Sequence, residues 1–354
     1  MYSKGHGGNI YDEAINYDFS VNTNPLGMPE DVKEKLKENL GDICEVYPEE
    51  TCYELRKSIS LKENISEHQI ICGNGASELI YGLVRAIRPE KALVVVPSFS
   101  EYIRALRAED TQMVYYHLAP ERDFIVAEDI MSYLTPDIDM VFLCNPNNPT
   151  GTAITASEMR KILTHCKNNG ISVMIDETYI EFSNNLDVIC SIPLVEEFDN
   201  LFVIRGISKF FAAPGLRLGY GITSSQKFHN LLSENQDPWS VNILASYAGE
   251  IIFSDKEFID KTKQLISSER KKAYDELKSW KNVKVYKSSS NFLLVRLLTD
   301  KITAAEIFDH MVRKKMVIRD AASFTFLNEE YIRFCILTPE ENSRLLSELK
   351  SIIE

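Results

Sequence analysis

The sequence predicts an α/β protein whose larger part is a mostly parallel seven-stranded sheet covered by helices on both faces. The length of 354 residues suits a large domain with a smaller one, and the 44% hydrophobic and 26% charged residues are typical of globular proteins. Short apolar runs recur between amphipathic helical patterns, which is the alternation expected of parallel strands. These runs are residues 70–72, 93–96, 113–117, 140–144, 171–175, 201–204 and 218–222.

Helices are predicted between these strands from apolar residues at helical spacing. In residues 77–87, Leu79, Ile80, Leu83 and Val84 fall on one face, and residues 155–169 show the same spacing. Each such helix can cover one face of the sheet.

A second unit is predicted after the strand-rich region. A long polar helical stretch over about 241–280 precedes strands at 283–286, 291–297, 316–319 and 331–336, with helices near 303–314 and at the end. We therefore predict an arm over 1–44 that joins the small domain, a large domain over 45–240, and a connecting helix and small C-terminal α+β domain over 241–354. Ligands are expected in the cleft between the domains.

Charge and apolar content exclude several classes of partner. The 39 basic and 52 acidic residues give a net charge of −13, which disfavours nucleic acid. No apolar stretch reaches the length of a membrane span, and residues 1–9 contain no apolar run of the kind found in secretory signals, so we expect a cytoplasmic protein without membrane partners. The seven Cys form no C-x-x-C pair and show no ligand spacing with the six His, so no metal site is predicted.

Three predicted strands end in residues that suit one kind of chemistry. Residues 145–151 (N-P-N-N-P-T-G) follow one strand, Asp176 follows the next, and Lys209 lies shortly after a third. Taken singly, each also fits a stiff turn, a helix cap or a solvated lysine. Together they supply what an aldehyde cofactor needs: an amine, a carboxylate for a ring nitrogen, and amide or phenol groups for a ring oxygen. The G-N-G at 73–75, between a strand and a helix, could bind a phosphate with its free amides.

Over essentially its whole length, the chain resembles the fold-type I enzymes that use pyridoxal 5'-phosphate. It is most similar to the branch that holds histidinol-phosphate aminotransferase and L-threonine-O-3-phosphate decarboxylase. The resemblance rests on N-T-N-P-L-G at 22–27, Y-P at 47–48, G-N-G-A-S-E at 73–78, P-S-F-S-E-Y at 97–102, the 145–151 segment, D-E-T-Y-I-E-F at 176–182 and S-K-F-F-A-A-P-G-L-R-L-G-Y at 208–220. It implies the fold of type I pyridoxal-phosphate transferases and a bound pyridoxal 5'-phosphate.

The resemblance also implies roles for individual residues. Lys209 would bind the cofactor aldehyde, Asp176 would pair with the ring nitrogen, and Asn148 and Tyr179 would hydrogen bond to the ring oxygen; Lys209, Asp176 and Tyr179 are the predicted catalytic residues. Further contacts with the ring and phosphate are implied for Phe99, Gly75, Ala76, Ser77, Ser208 and Arg217.

One implied contact involves a second subunit, and one position departs from the pattern. Tyr47 matches a tyrosine that reaches the cofactor phosphate of the partner, which implies a homodimer. Gly206 stands where many relatives have Ser or Thr, so the phosphate would lack one hydroxyl donor.

Substrate-side residues are predicted from the same resemblance. Arg333 matches the arginine that binds the substrate carboxylate, a surface ion pair being the alternative. His6, Asn24 and Arg319 are predicted to lie near the substrate or its phosphate, although His6 could equally belong to a frayed arm. Segments 6–9, 17–29, 209–215, 238–242 and 317–323 look more like the decarboxylase than the aminotransferase.

The sequence leaves the reaction open between decarboxylation and transamination. The same catalytic residues serve both, because the orientation of the substrate on the cofactor decides which bond of the α-carbon breaks. The predicted substrate is a small phosphorylated amino acid or amine, with a phosphonate relative as a further alternative. A nicotinamide reductase is disfavoured because no G-x-G-x-x-G follows a strand, and a transcription regulator because no DNA-binding module is evident.

Overall fold

The computed structural model describes residues 14–354. The strands, numbered in chain order, are β1 (Tyr17–Asp18), β2 (Ile70–Gly73), β3 (Lys91–Val96), β4 (Gln112–His117), β5 (Met140–Cys144), β6 (Ser172–Asp176), β7 (Leu201–Gly206), β8 (Gly219–Ile222), β9 (Val283–Val285), β10 (Phe292–Leu297), β11 (Met316–Val317), β12 (Arg319–Asp320) and β13 (Tyr331–Cys335). The helices are α1 (Glu30–Cys44), α2 (Tyr53–Glu63), α3 (Gly75–Ile87), α4 (Ser100–Ala108), α5 (Ala156–Asn168), α6 (Leu186–Ile189), α7 (Gln226–Asn235), α8 (Ile243–Ile252), α9 (Lys256–Lys278), α10 (Ala304–Arg313) and α11 (Pro339–Ile353).

The seven predicted apolar runs form the strands of one sheet, in the order β2-β8-β7-β6-β5-β3-β4. Strands β3 to β7 pair in parallel, whereas β8 is antiparallel to both of its neighbours, β2 and β7. The predicted mostly parallel seven-stranded sheet is therefore confirmed.

Alternate side chains of the central strands enter two different cores. In β3, Val94 and Val96 pack with the apolar faces of α3 and α4, whereas Leu93 and Val95 belong to a second core on the other face. That second core continues into the small sheet through residues such as Phe292. Helices thus cover both faces, as predicted, and the two sheets share one apolar core.

The small antiparallel sheet has the order β12-β13-β10-β9. Two expectations for this part of the chain need correction. The predicted strand at 316–319 is divided: β11 pairs in parallel with β1, whereas β12 pairs with β13. The predicted helical stretch at 241–280 is interrupted after α8, and Asp255 begins α9 by accepting a hydrogen bond from Phe258 N at 2.9 Å.

The arm enters the small sheet region through β1 and through Phe19 O, which accepts a hydrogen bond from Cys335 N at 2.9 Å.

Within residues 14–354, no helix combines the length and apolar character needed to cross a membrane. The exact domain limits stay a prediction.

Candidate active site

The polar segments that follow β5, β6 and β7 meet at one edge of the large sheet. Cys144, the last residue of β5, lies beside Asp176, the last of β6, and Asp176 lies beside Ile204 of β7. Because parallel strands end at the same edge, the 145–151 segment, Asp176 and the loop that carries Lys209 come together there.

Asp176 is a buried carboxylate that protein donors hold in place. Its Oδ2 accepts a hydrogen bond from Tyr102 Oη at 2.7 Å, and its Oδ1 accepts bonds from Thr178 N at 2.9 Å and Thr178 Oγ1 at 2.5 Å. Burial and the nearby carboxylate raise the pKa of Tyr102 well above its usual range, so this phenol stays protonated and donates. Sequence reasoning missed Tyr102, although it closes the P-S-F-S-E-Y motif, and the Phe99 ring meets it edge-on at 5.7 Å.

The Lys209 amine donates a hydrogen bond to Val21 O at 2.8 Å. Burial, followed by the charge of Arg333, lowers the pKa of Lys209 to about 8. A larger fraction of this amine than of an ordinary lysine, about a tenth at pH 7, is therefore neutral and thus nucleophilic.

Asn24, which was expected on the substrate side, supports the backbone around Lys209. Its backbone N donates to Lys209 O at 3.0 Å, and its Nδ2 donates to Phe210 O at 2.7 Å and Thr262 Oγ1 at 2.8 Å. Its Oδ1 accepts from Leu26 N at 3.0 Å. Both amide hydrogens therefore have partners within the protein. The place of Asn24 on the substrate side stays a prediction.

Asn22, two residues earlier, is the asparagine of this motif that faces the site. Its Nδ2 donates to Tyr179 Oη at 3.3 Å, and its Oδ1 is buried without a partner among the described residues. Burial raises the pKa of Tyr179 to about 12, so the phenol keeps its proton. The motif alone could not distinguish Asn22 from Asn24.

Arg333 is buried between the 145–151 segment and the arm. Its Nη1 donates to Asn148 Oδ1 and its Nη2 to Ser20 O, whereas its Nε has no partner among the described residues. Arg333 is therefore no surface residue, and the surface ion pair considered from the sequence is wrong.

Arg319 lies directly opposite Arg333 on the neighbouring strand. Side chains at opposed positions of an antiparallel pair point to the same face, so the two guanidinium groups share one side of the small sheet. Arg319 Nη2 donates to Ser323 Oγ at 2.7 Å. Burial, and then the charge of Arg333, lowers the pKa of Arg319 to about 10.

A group of hydrogen-bond donors that includes the Arg217 guanidinium lies at the start of α3. The Asn74 side chain does not cap this helix, so its first amides point outward without that acceptor. Arg217, in the left-handed conformation with φ 59°, places its guanidinium against Gly75, where an added Cβ would come 2.5 Å from Arg217 Nη2. An added Cβ at Gly219 would come 2.4 Å from Ala76 N, so the backbones also pack closely. The result is a concave group of donors suited to an anion.

The remaining predicted residues have different surroundings. Ser77 lies in the first turn of α3, Ser208 is half-buried beside Lys209, and a Cβ on Gly206 would lie 3.1 Å from Leu218 O. Tyr47 lies on the surface, 81% exposed, with its ring 5.2 Å from that of Trp239. His6 lies outside the described residues.

A buried ionic cluster that the sequence did not predict lies behind the site. Arg205 of β7 donates to Glu177 Oε2 at 2.7 Å and to Glu63 Oε2 at 2.7 Å. Glu63 Oε1 also accepts from Tyr220 Oη at 2.6 Å, and Lys62 Nζ lies 3.3 Å from it. Because Glu177 follows Asp176 and Arg205 precedes the Lys209 loop, the cluster fixes both chain segments.

In residues 14–354 no group of three His, Cys, Asp or Glu side chains is arranged to hold a metal ion.

Comparison with known proteins identifies the family. Residues 15–349 match the family model "Aminotransferase class I and II". Threonine-phosphate decarboxylase from Salmonella typhimurium is 32% identical over 361 residues, which cover 100% of this chain and 98% of that protein. The crystal structure of the histidinol-phosphate aminotransferase from Clostridium acetobutylicum is 31% identical with a TM-score of 0.88, and covers 95% of this chain and 99% of its own. The crystal structure of L-threonine-O-3-phosphate decarboxylase from Porphyromonas gingivalis is 26% identical with a TM-score of 0.84. It covers 95% of this chain and 99% of its own. With a family model spanning nearly its whole length and related enzymes aligned from end to end, the chain belongs to the class I and II aminotransferase family.

Proposed function

We propose that the chain is a pyridoxal 5'-phosphate-dependent decarboxylase of a small phosphorylated amino acid, with L-threonine O-3-phosphate as the leading substrate. The observation that carries this proposal is the pair of buried arginines, Arg319 and Arg333, at opposed positions on one face of the small sheet. The similarity to threonine-phosphate decarboxylase over the full chain supports it and suggests a place in cobamide synthesis.

The residues present fit the cofactor. The amides of Gly75, Ala76 and Ser77 and the Arg217 guanidinium would hold its phosphate, since the guanidinium lies where a Cβ on Gly75 would be. Asp176 would accept a hydrogen bond from the ring nitrogen, since its carboxylate is already oriented by Tyr102 and Thr178. The unpartnered Asn22 Oδ1 and Arg333 Nε are buried polar atoms that a polar ligand would satisfy.

Bound pyridoxal phosphate would supply an aldehyde for the lysine amine and a protonated ring that accepts the electron pair of the broken α-carbon bond. The chain's own groups provide the rest. Lys209, with its lowered pKa, can give or take a proton near neutral pH. Asp176 would place its carboxylate beside the ring nitrogen, and Tyr179 contributes a protonated phenol.

The arginine pair would set the substrate class. Arg333 offers the carboxylate a planar pair of donors, and Arg319, at the opposed position of the neighbouring strand, offers a second cation for a phosphate. Binding both ends of a short substrate fixes its rotation, and so selects which α-carbon bond stands perpendicular to the ring. His6 stays a proposed additional phosphate ligand.

The second candidate function is a histidinol-phosphate-type aminotransferase. The 31% identical aminotransferase structure with a TM-score of 0.88 favours it specifically. Both reactions would use Lys209 and Asp176, so the cofactor-binding residues do not discriminate between them.

Product analysis tests the proposal. The purified enzyme is incubated with threonine phosphate alone, and in parallel with histidinol phosphate and 2-oxoglutarate, and carbon dioxide and glutamate are measured. We expect carbon dioxide from the first mixture and little glutamate from the second. Arg319→Gln should raise KM for threonine phosphate much more than it lowers kcat. Glutamate without carbon dioxide would favour the aminotransferase.

We also propose a cytoplasmic homodimer in which Tyr47 reaches the cofactor phosphate of the other subunit. The exposed ring of Tyr47 and its exposed neighbour Trp239 support an interface there. A crystal structure of the holoenzyme would test this, and a monomer with a complete site would refute it.

A further inference from the structure

A second cavity, of about 570 Å³, lies between α9, the loop before β10 and the end of the 145–151 segment. Its lining includes Gly151, the last residue of the 145–151 segment, but none of Asp176, Lys209, Arg319 and Arg333. One face of α9 lines it through Ser267, Arg270 and Lys271, and the loop contributes Lys287, Ser288 and Ser289.

Two cations in this cavity lack a carboxylate partner among the described residues. Arg270 uses only Nη1 within the protein, donating to Phe182 O at 3.2 Å and to Ser290 O, so its Nε and Nη2 have no acceptor in residues 14–354. Burial lowers the pKa of Arg270 to about 10, which an anion would counteract. Lys287 is exposed and forms no ion pair within the same residues, whereas Lys271 is paired with Asp275 at 2.5 Å.

Hydroxyl groups complete the lining. Ser288 Oγ accepts a bond from Ser290 N at 3.0 Å, and Ser267 Oγ accepts one from Asn184 Nδ2. Each hydroxyl still has its own hydrogen to donate. In a chain of net charge −13, such a concentration of donors and unpaired cations is a local exception that suits an anion.

We propose that this cavity is a second anion site, which takes a small molecule bearing a phosphate or polyphosphate group. The Arg270 guanidinium would bind one face of the phosphate, and Lys287 and the two serine hydroxyls would bind its remaining oxygens.

The loop that lines the proposed anion site also contacts the 145–151 segment of the candidate active site. Ser289 N donates to Gly151 O at 2.7 Å, and a Cβ on Gly151 would lie 2.3 Å from Ser288 Oγ, so the loop and the end of the 145–151 segment are in close contact. Asn148 of that segment bonds to Arg333.

Calorimetric titration of the holoenzyme with inorganic pyrophosphate tests the proposal, because the bound cofactor occupies the α3 cradle. Lys287→Gln should weaken the binding assigned to the cavity by about three- to tenfold. Lys278→Gln, an exposed lysine on α9 outside the cavity with the same change in charge, should change it less than about twofold.

Arg319→Gln separates this site from the substrate site. The cavity binding should persist in that variant, and pyrophosphate-soaked crystals should show density beside Arg270 and Lys287. Absence of binding, equal affinities for Lys287→Gln and Lys278→Gln, or loss of all binding in Arg319→Gln would overturn the proposal. None of these outcomes depends on catalytic activity, so they do not bear on the proposed reaction.

Discussion

Gly75→Ala should remove the proposed phosphate cradle while leaving the fold intact. Gly75 has φ +80°, and the new Cβ would lie 2.5 Å from Arg217 Nη2 and 2.9 Å from Arg217 Cζ. These atoms belong to the flexible end of a side chain, so the guanidinium would move away and the helix would stay in place. At Gly219 the clash is instead with the backbone of Ala76, which cannot move without displacing α3.

The expected loss in cofactor affinity follows from the bond that Arg217 would make. A hydrogen bond to a charged group contributes roughly 1.5–3 kcal/mol, so losing it should weaken cofactor binding by about 10- to 150-fold. The left-handed backbone should cost a further ~1 kcal/mol of folding stability.

Gly170→Ala is the matched control. Gly170 has a similar φ of +74°, but an added Cβ there would meet nothing within 4 Å. It should therefore lose the same folding stability and keep its cofactor affinity. Dissociation constants are measured by titrating apoenzyme with pyridoxal phosphate, and stabilities of the apoenzymes by urea denaturation. Equal cofactor affinity in the two variants would refute the assignment of Arg217 and Gly75 to the phosphate.

Three further outcomes are expected. Asp176→Asn should still bind cofactor but lose about 100-fold or more in kcat, since it removes a preorganised charge; near-normal turnover would contradict the role proposed for this carboxylate. The rate at which apoenzyme captures pyridoxal phosphate at Lys209, trapped by borohydride and located by peptide mapping, should rise with pH with a midpoint near 8. Arg333→Gln should move that midpoint to higher pH. A midpoint near pH 10 in both the unchanged protein and Arg333→Gln would exclude a lowered pKa of Lys209. Burial opposes the ionisation of Glu63, but Arg205 and Lys62 outweigh it and lower its pKa from 4.5 to about 2. Glu63 should thus contribute roughly 3 kcal/mol of stability above pH 4.5 that is lost as the pH falls toward 2. The free energy of unfolding, measured by urea denaturation, should differ between the protein and Glu63→Gln by an amount that decreases from pH 5 to pH 3. A constant difference in this free energy would argue against the ionisation of Glu63.

The sequence predicted the strands of the large sheet well, because each is a short apolar run bounded by polar or turn-forming residues. The strand order was not predictable, since strands buried on both faces show no alternation that would identify their neighbours. The interruption between α8 and α9 was missed for a related reason: the break at 253–255 contains neither Gly nor Pro. In the structure, the capping bond from Phe258 N to Asp255 marks the start of α9.

The residues in and around the candidate site fall into two groups. Asp176 and Lys209 lie at or shortly after the carboxyl ends of parallel strands, so their position at one edge of the sheet could be expected from parallel pairing. Asn22, Tyr102 and the cluster around Arg205 could not be found in this way, because their partners lie between 28 and 157 residues away in the chain. Whether Asn22 or Asn24 turns its side chain toward Tyr179 is information that a motif does not contain.

Arg333 and Lys209 are coupled in a way that bears on the order of chemical events. The charge of Arg333 is the second cause, after burial, of the lowered pKa of Lys209. A substrate carboxylate bound to Arg333 would compensate that charge, so the lysine should hold a proton more strongly once the substrate is in place. Before binding, the partly neutral amine is suited to attack an aldehyde; after binding and displacement, the same amine is better suited to deliver a proton to the α-carbon. One arginine would thereby both recognise the substrate and adjust the proton affinity of the group that completes the reaction.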